Sequence, residues 1–165
     1  MAKAKKTVAS LTPAQVRDFL AENTLMSVAT SGEHPWIASV YYAFDADLSL
    51  YFLSDPKTLH CRQIALNPQV AVAIADSHQS VAENKRGLQL WGVAEQIGSA
   101  AKLRFALDLW KRSHAVIDPE LNYKNMLANI ISGRMYKITP KMIKLFDQSL
   151  FPDVEEGAEP VLVMD

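Results

Sequence analysis

Alternation of side chains with a period of two, repeated along the chain and punctuated by short turns, constrains this sequence more than any other feature. Trp36, Ala38, Val40, Tyr42 and Phe44 fall on one face of a strand, and Ile37, Ser39, Tyr41 and Ala43 on the other. Asp45-Ala46-Asp47 then makes a tight connection, after which Leu48, Leu50 and Phe52 continue the apolar face, so the pair reads as a hairpin. Leu25–Thr30 precedes it as another strand, ended by the turn residues Ser31-Gly32-Glu33-His34-Pro35. Gln69 to Ala75 sets Val70, Val72 and Ile74 against Ala71, Ala73 and Ala75, and so small a face lets something pack close. Arg86 to Ile97 is a long strand with Gly92 in its middle, which marks a bulge or bend. Gly133–Ile138 and Lys141–Phe146 read as two short closing strands. Short turns between consecutive strands imply antiparallel pairing, and this number of strands suits a small closed barrel. The expected fold is therefore α+β: an antiparallel β-barrel with flanking helices.

Helices are marked between these strands. Thr12-Pro13-Ala14-Gln15 combines a cap, a first-turn proline and a capping box, and its helix runs to about Glu22. Asp55-Pro56 opens a short helix, with Asp55 as cap, that Asn67-Pro68 ends because the residue before proline disfavours helix. Ser99 caps a helix to about Arg112 with Leu103, Leu107 and Trp110 on one stripe, and Asp118-Pro119 starts another to about Ile130. Three segments result: a flexible basic tail over 1–10, one domain over 11–148 and an acidic tail over 149–165. The last tail, ending Val161-Leu162-Val163-Met164, is either disordered or a strand-like arm packed on a partner.

The totals exclude several classes. At 165 residues, 49% of them hydrophobic, the chain can bury a core without disulfides or metal. A formal net charge of -1 gives no field to draw nucleic acid or an acidic membrane surface. The opening Met1-Ala2-Lys3-Ala4-Lys5-Lys6 precedes no apolar stretch, and no apolar run reaches the length of a membrane span. The single cysteine, Cys61, rules out an internal disulfide and fits a reducing, cytoplasmic location. On its helix Cys61 reads as a small buried apolar residue. His34, His60, His78 and His114 show no ligand spacing, so no metal site is expected. Nucleophile elbows, phosphate-binding loops of the Gly-Lys-Ser/Thr type and dinucleotide glycine fingerprints are all missing, which argues against hydrolases and kinases.

What remains is Tyr51 to Pro68, where a strand end feeds a helix start and hydroxyls and cationic groups gather. Free amides and the positive end of a helix dipole attract an anion at such a place. Ser54 and Thr58 could donate to it, and Lys57 or His60 could supply charge. The competing reading is an ordinary capped helix with a solvated Lys57.

This stretch resembles the third strand and following helix of the pyridoxamine 5′-phosphate oxidase-like, FMN-binding split barrels. The similar features are Ser54, then Thr58-Leu59-His60, then Asn67-Pro68-Gln69-Val70-Ala71-Val72. The resemblance extends through Leu25–Thr30, Pro35–Phe44, the glycine-containing strand Arg86–Ala94 and the closing Tyr136–Asp147. It implies a homodimeric split barrel that binds FMN, and a flavin-dependent oxidoreductase with an unassigned substrate and no catalytic side chain. The alternative is a barrel that holds flavin or haem without turnover, or a cofactor-free dimer. By position it implies that Ala38, Ser39, Val40 and Tyr41 lie along the flavin ring. Leu53, Ser54, Lys57, Thr58 and His60 would hold the phosphate, and Gln89 and Trp91 would complete the neighbour's pocket. The chain departs from the vitamin-B6 oxidase proper at Ala38 and Ala43, where that enzyme has basic residues on strand two. It departs again at Leu59-His60, where the enzyme has Arg-Lys, and its C-terminal substrate motif has no counterpart after Phe146. The oxidase activity itself is therefore not implied.

Overall fold

Seven strands build one antiparallel sheet in the computed structural model, which describes residues 10–155 and 157–164. They are β1 (Leu25–Ser31), β2 (Pro35–Phe44), β3 (Leu50–Ser54), β4 (Gln69–Ile74), β5 (Arg86–Gln96), β6 (Arg134–Asp147) and β7 (Val161–Val163). Neighbours run β3-β2-β1-β4-β5-β6-β7, and a further β3–β6 pairing closes the first six strands into a barrel. The helices are α1 (Pro13–Ala21), α2 (Leu59–Leu66), α3 (Ala100–Ser113) and α4 (Tyr123–Leu127). Within residues 10–155 and 157–164 no helix is long and apolar enough to cross a membrane. The expected basic tail falls almost wholly on residues 1–9, outside the described chain.

Several expectations are met in detail. Thr12 caps α1 with the full capping box: its hydroxyl accepts from the Gln15 amide, and the Gln15 side chain accepts from the Thr12 amide at 2.9 Å. The register of β5 against β6 shifts between Trp91 and Gly92. A Cβ on Gly92 would come within 2.4 Å of the Thr139 carbonyl, so the close approach at this bulge demands glycine.

Other expectations are corrected. Gly133–Ile138 and Lys141–Phe146 are halves of one strand, β6, which runs straight through Pro140. Pro140 has no amide to give a ladder, and it sits opposite Gly92, where the bulge already interrupts the pairing. Leu48 belongs to the turn and not to β3. It takes a left-handed backbone (φ 63°) while its side chain is buried. The Asp45 carboxylate holds this turn, accepting from the amides of Asp47 and Ser49 at 3.0 Å each.

Asp55-Pro56 forms a turn ahead of α2, with the Thr58 amide donating to the Asp55 carbonyl at 3.0 Å, and Thr58 is the cap. The helix expected from Asp118 shrinks to α4. The Asp118 carboxylate accepts from the Glu120 amide at 2.9 Å, which bends the chain into a turn until Asn122 caps the helix. At the C-terminus, 161–163 form β7 on the chain's own β6, with Leu162 opposite Ile143.

Two cores result. The barrel interior holds Met26, Val28, Leu50, Phe52, Val72 and Leu145, all at most 3% exposed. Outside the barrel, Leu103, Ala106 and Leu107 of α3 and Met126 of α4 pack on Tyr51 and Met135. This second core anchors α3 beside β2 and β3.

Candidate functional site

The barrel is split where β2 leaves β3. All of Pro35–Tyr41 pairs with β1, whereas β2 pairs with β3 only at Tyr42↔Phe52, Ala43↔Tyr51 and Phe44↔Leu50. The Tyr42 amide points to the β1 side, donating to the Thr24 carbonyl at 3.1 Å. Strand alternation turns the backbone groups of Tyr41, Ser39 and Ile37 the other way, toward the split. The Tyr41 carbonyl on that edge accepts from Nε1 of Trp110 on α3 at 3.3 Å. Ala38 and Val40 are half-buried with their backbone groups toward β1. Of the four residues expected along a ring, Ser39 and Tyr41 therefore present backbone to the open edge.

The second half of the site forms where β3 hands over to α2. Ser54 Oγ lies 2.8 Å from His60 Nε2, Thr58 Oγ1 lies 3.3 Å from the same nitrogen, and the two hydroxyls are 3.5 Å apart. Thr58 caps α2 by position but makes no side-chain cap; its hydroxyl donates to the Asp55 carbonyl at 2.8 Å. The first-turn amides of α2 are thus left without a side-chain acceptor, the arrangement that suits an anion. His60 is 7% exposed and turned inward, its ring 6.4 Å from that of Phe52. Lys57 is exposed, and its amide donates to the Asp55 carboxylate at 2.8 Å. That contact, followed by a hydrogen bond from Ser132, holds the Asp55 carboxyl below the usual range. The side chain of Leu53 packs into the second core, so Leu53 offers the corner only its backbone.

Two members of this cluster were not expected from sequence. Cys61 is buried, as anticipated, but its thiol meets the polar cluster. Burial pushes the thiol up, while hydrogen bonds from His60, Thr58, Tyr136 and Ser54 outweigh burial and bring it down to about 7. Burial pushes the Tyr136 phenol well up, and its contact with Cys61 adds to the rise. On the far side of the split, His114 lies against Trp110 and Tyr41, with ring centroids 4.7 and 5.5 Å away. Burial pulls the His114 imidazole down, against a hydrogen bond to the Tyr42 backbone. The aromatic character of these residues was visible in the sequence, but their convergence depends on how α3 and β6 pack.

Gln89 and Trp91 are not brought to this corner. They lie on the outer face of the sheet, where register aligns Ile37, Ala29, Ala71, Trp91, Met142 and Val163 in one apolar row across six strands. All of the row except Val163 lines a shallow concavity of about 380 Å³, with Ser27, Ala73, Gln89 and Lys144 beside it. The alanine face of β4 that sequence expected to be covered is exposed here.

The fold has relatives among known proteins. A UPF0306 protein of Photorhabdus laumondii is 32% identical over 79 residues, covering 47% of this chain and 54% of that protein. The chain thus matches about half the length of that relative. Among solved structures, a conserved hypothetical protein of Mycobacterium tuberculosis superposes with TM-score 0.69 at 18% identity, over 93% of this chain and 95% of that one. An FAD-binding protein of Mesorhizobium loti gives 0.62 at 16% identity, over 82% and 92%. A haem storage protein of Vibrio cholerae gives 0.59 at 14% identity, over 80% and 91%. At these identities the likeness is one of fold. The family model for pyridoxamine 5′-phosphate oxidase matches residues 12–143. With that match over most of its length, the chain belongs to the pyridoxamine 5′-phosphate oxidase-like family of split barrels.

Proposed function

We propose that the chain is a homodimeric flavin-binding protein that takes FMN in the split between β2 and the β3–α2 corner and works as an oxidoreductase. The observation that carries this reading is the corner itself: two hydroxyls and an imidazole nitrogen within 3.5 Å of one another, at the start of a helix whose cap hydroxyl faces away. The Ser54 hydroxyl, the His60 ring and the open first-turn amides suit a phosphate, which needs several hydrogen-bond donors and gains from a helix N-terminus; the Thr58 hydroxyl would join by turning its proton away from the Asp55 carbonyl. Lys57 would add charge from the exposed side. The backbone groups of Ser39 and the amide of Tyr41 would meet the polar edge of a flat ring, and the aromatic pair Trp110 and His114, with Trp110 held on the Tyr41 carbonyl, would wall one end of the split. When bound, the flavin would supply the electron transfer; the chain's own residues bind, orient and shield it. The apolar row across the outer face supports a second copy as its cover, because an exposed apolar surface of this kind marks an interaction site. Gln89 and Trp91 would then belong to the dimer face.

Purified protein should be yellow and release a flavin on denaturation, and NADH or NADPH should bleach the bound flavin until an acceptor restores it. Flavin that binds but is never reduced would favour a second reading, storage or sensing of a planar cofactor. Its support is that the same fold serves both the FAD-binding protein of Mesorhizobium loti and the haem storage protein of Vibrio cholerae. A colourless protein that no flavin or haem stabilises would contradict both.

A further inference from the structure

Arg134 opens β6 directly opposite Ser54, its register partner in the β3–β6 pair. Directly opposed residues in antiparallel strands project on the same face. Two positions further in, Phe52 and Tyr136 stack at 5.1 Å on that face and are buried in the barrel. Ser54 and Arg134, both half-buried, therefore stand on the rim of the same inner surface. The guanidinium is held in place from behind. Its Nη1 donates to the carbonyls of Ile131, Ser132 and Gly133 at 2.6, 3.1 and 2.8 Å, and its Nη2 donates to Oδ1 of Asn129. All of these bonds leave from the two terminal nitrogens.

We propose that Arg134 is the fixed cation of the anion-binding corner, acting with Ser54 and Thr58 on the phosphate of a bound ligand. This deepens the flavin reading and rests on it. The charges at the corner decide the argument. Asp55 and Lys57 carry opposite charges, and both Lys57 and Arg134 act on the Asp55 carboxylate, so the three together sum to one positive charge. Arg134 leaves the corner positive. Its planar fork suits phosphate oxygens better than the single ammonium of an exposed lysine. The loop carbonyls that hold it also reduce the ordering cost of using it. Sequence reading overlooked it because the residue lies 80 positions from Ser54 and reaches the corner only through strand register.

The test compares FMN with riboflavin, which lacks the phosphate, by fluorescence titration. Arg134→Gln should weaken FMN binding by roughly tenfold or more, as loss of a charge-assisted contact does, and leave riboflavin binding unchanged. Arg134→Lys keeps the charge without the fork and should fall between. Asn129→Ala removes the guanidinium's side-chain anchor, keeps the charge, and should leave the ratio of the two affinities near that of the native chain. Equal losses for FMN and riboflavin in Arg134→Gln, or no loss of FMN, would overturn the assignment. If the native chain binds neither flavin, the flavin reading fails separately. Inorganic phosphate then serves as the probe: a thermal shift present in the native chain and absent in Arg134→Gln supports the assignment, and no shift in the native chain overturns it.

Discussion

The Ser54 hydroxyl lies 2.8 Å from Nε2 of His60, a contact that ties the last residue of β3 to the first turn of α2. It makes the corner a cluster of mutually satisfied groups, in which a ligand phosphate would take over hydrogen bonds already made between side chains. The exchange keeps the folded state intact whether or not ligand is present. It also makes the corner's contribution to binding separable from its contribution to folding.

The replacement of both Thr58 and His60 by alanine should accordingly weaken FMN binding by at least roughly tenfold, since hydrogen bonds to a charged group are lost. The barrel should survive, with a lower melting point from loss of the buried His60 ring, because its apolar core of Met26, Val28, Leu50, Phe52, Val72 and Leu145 is untouched. Isothermal titration with FMN measures the first effect, and circular dichroism with a thermal melt checks the second. Unchanged affinity in a folded variant removes the corner from the site.

Cys61 gives the corner a pH dependence. Its thiol sits at about 7, below the ordinary thiol value, so the folded state favours the thiolate more than the unfolded chain does. The sign follows from linkage: the stabilisation is present in full above the unfolded thiol's range and is lost as pH falls through about 7. Absorbance of the thiolate near 240 nm should titrate with a midpoint close to 7 in the native chain. His60→Ala removes a donor and should raise that midpoint. Between pH 6 and pH 9 the native chain should gain more stability against urea than Cys61→Ala does; an equal gain would show that the thiol is not perturbed.

Gly92 tests the bulge that lets β6 pass through Pro140. A Cβ there would meet the Thr139 carbonyl at 2.4 Å and the Pro140 Cα at 3.0 Å, both of them backbone. Gly92→Ala should therefore destabilise the chain by about 1–3 kcal/mol, as overpacking does. A shifted urea midpoint with an unchanged slope is the expected reading; no shift would mean that the strands part without cost.

Trp91, at 44% exposed, sits within the apolar row that links Ile37 to Val163. If a second copy covers this face, Trp91→Glu places a charge without a partner in a desolvated interface. Light scattering should then report a dimer for the native chain and a monomer for the variant. A native monomer, or a variant dimer of unchanged strength, contradicts this use of the face.

These expectations were unequally legible in the sequence. Local signals were reliable where one segment decides the outcome. The Thr12–Gln15 capping box, the stop at Asn67-Pro68 and the bulge at Gly92 all depend on nearest neighbours and all appear. Errors arose where a distant partner overrides a local preference. Pro140 reads as a strand break, yet Gly92 on the facing strand absorbs it. Asp55-Pro56 reads as a helix start, yet the Asp55 side chain and carbonyl close a turn instead and pass the cap to Thr58. In the site, Ser54, Thr58 and His60 were found because they are close in sequence. Arg134, Tyr136 and Trp110 arrive through register and helix packing, for which a single sequence carries no marker.

If a phosphate docks at the start of α2, phosphorus NMR of FMN in the presence of the purified chain reports it. The FMN resonance should shift and broaden on binding, and replacing Thr58 and His60 by alanine should remove the effect. A flavin that binds, by its fluorescence, while its phosphorus signal stays at the free position would contradict it.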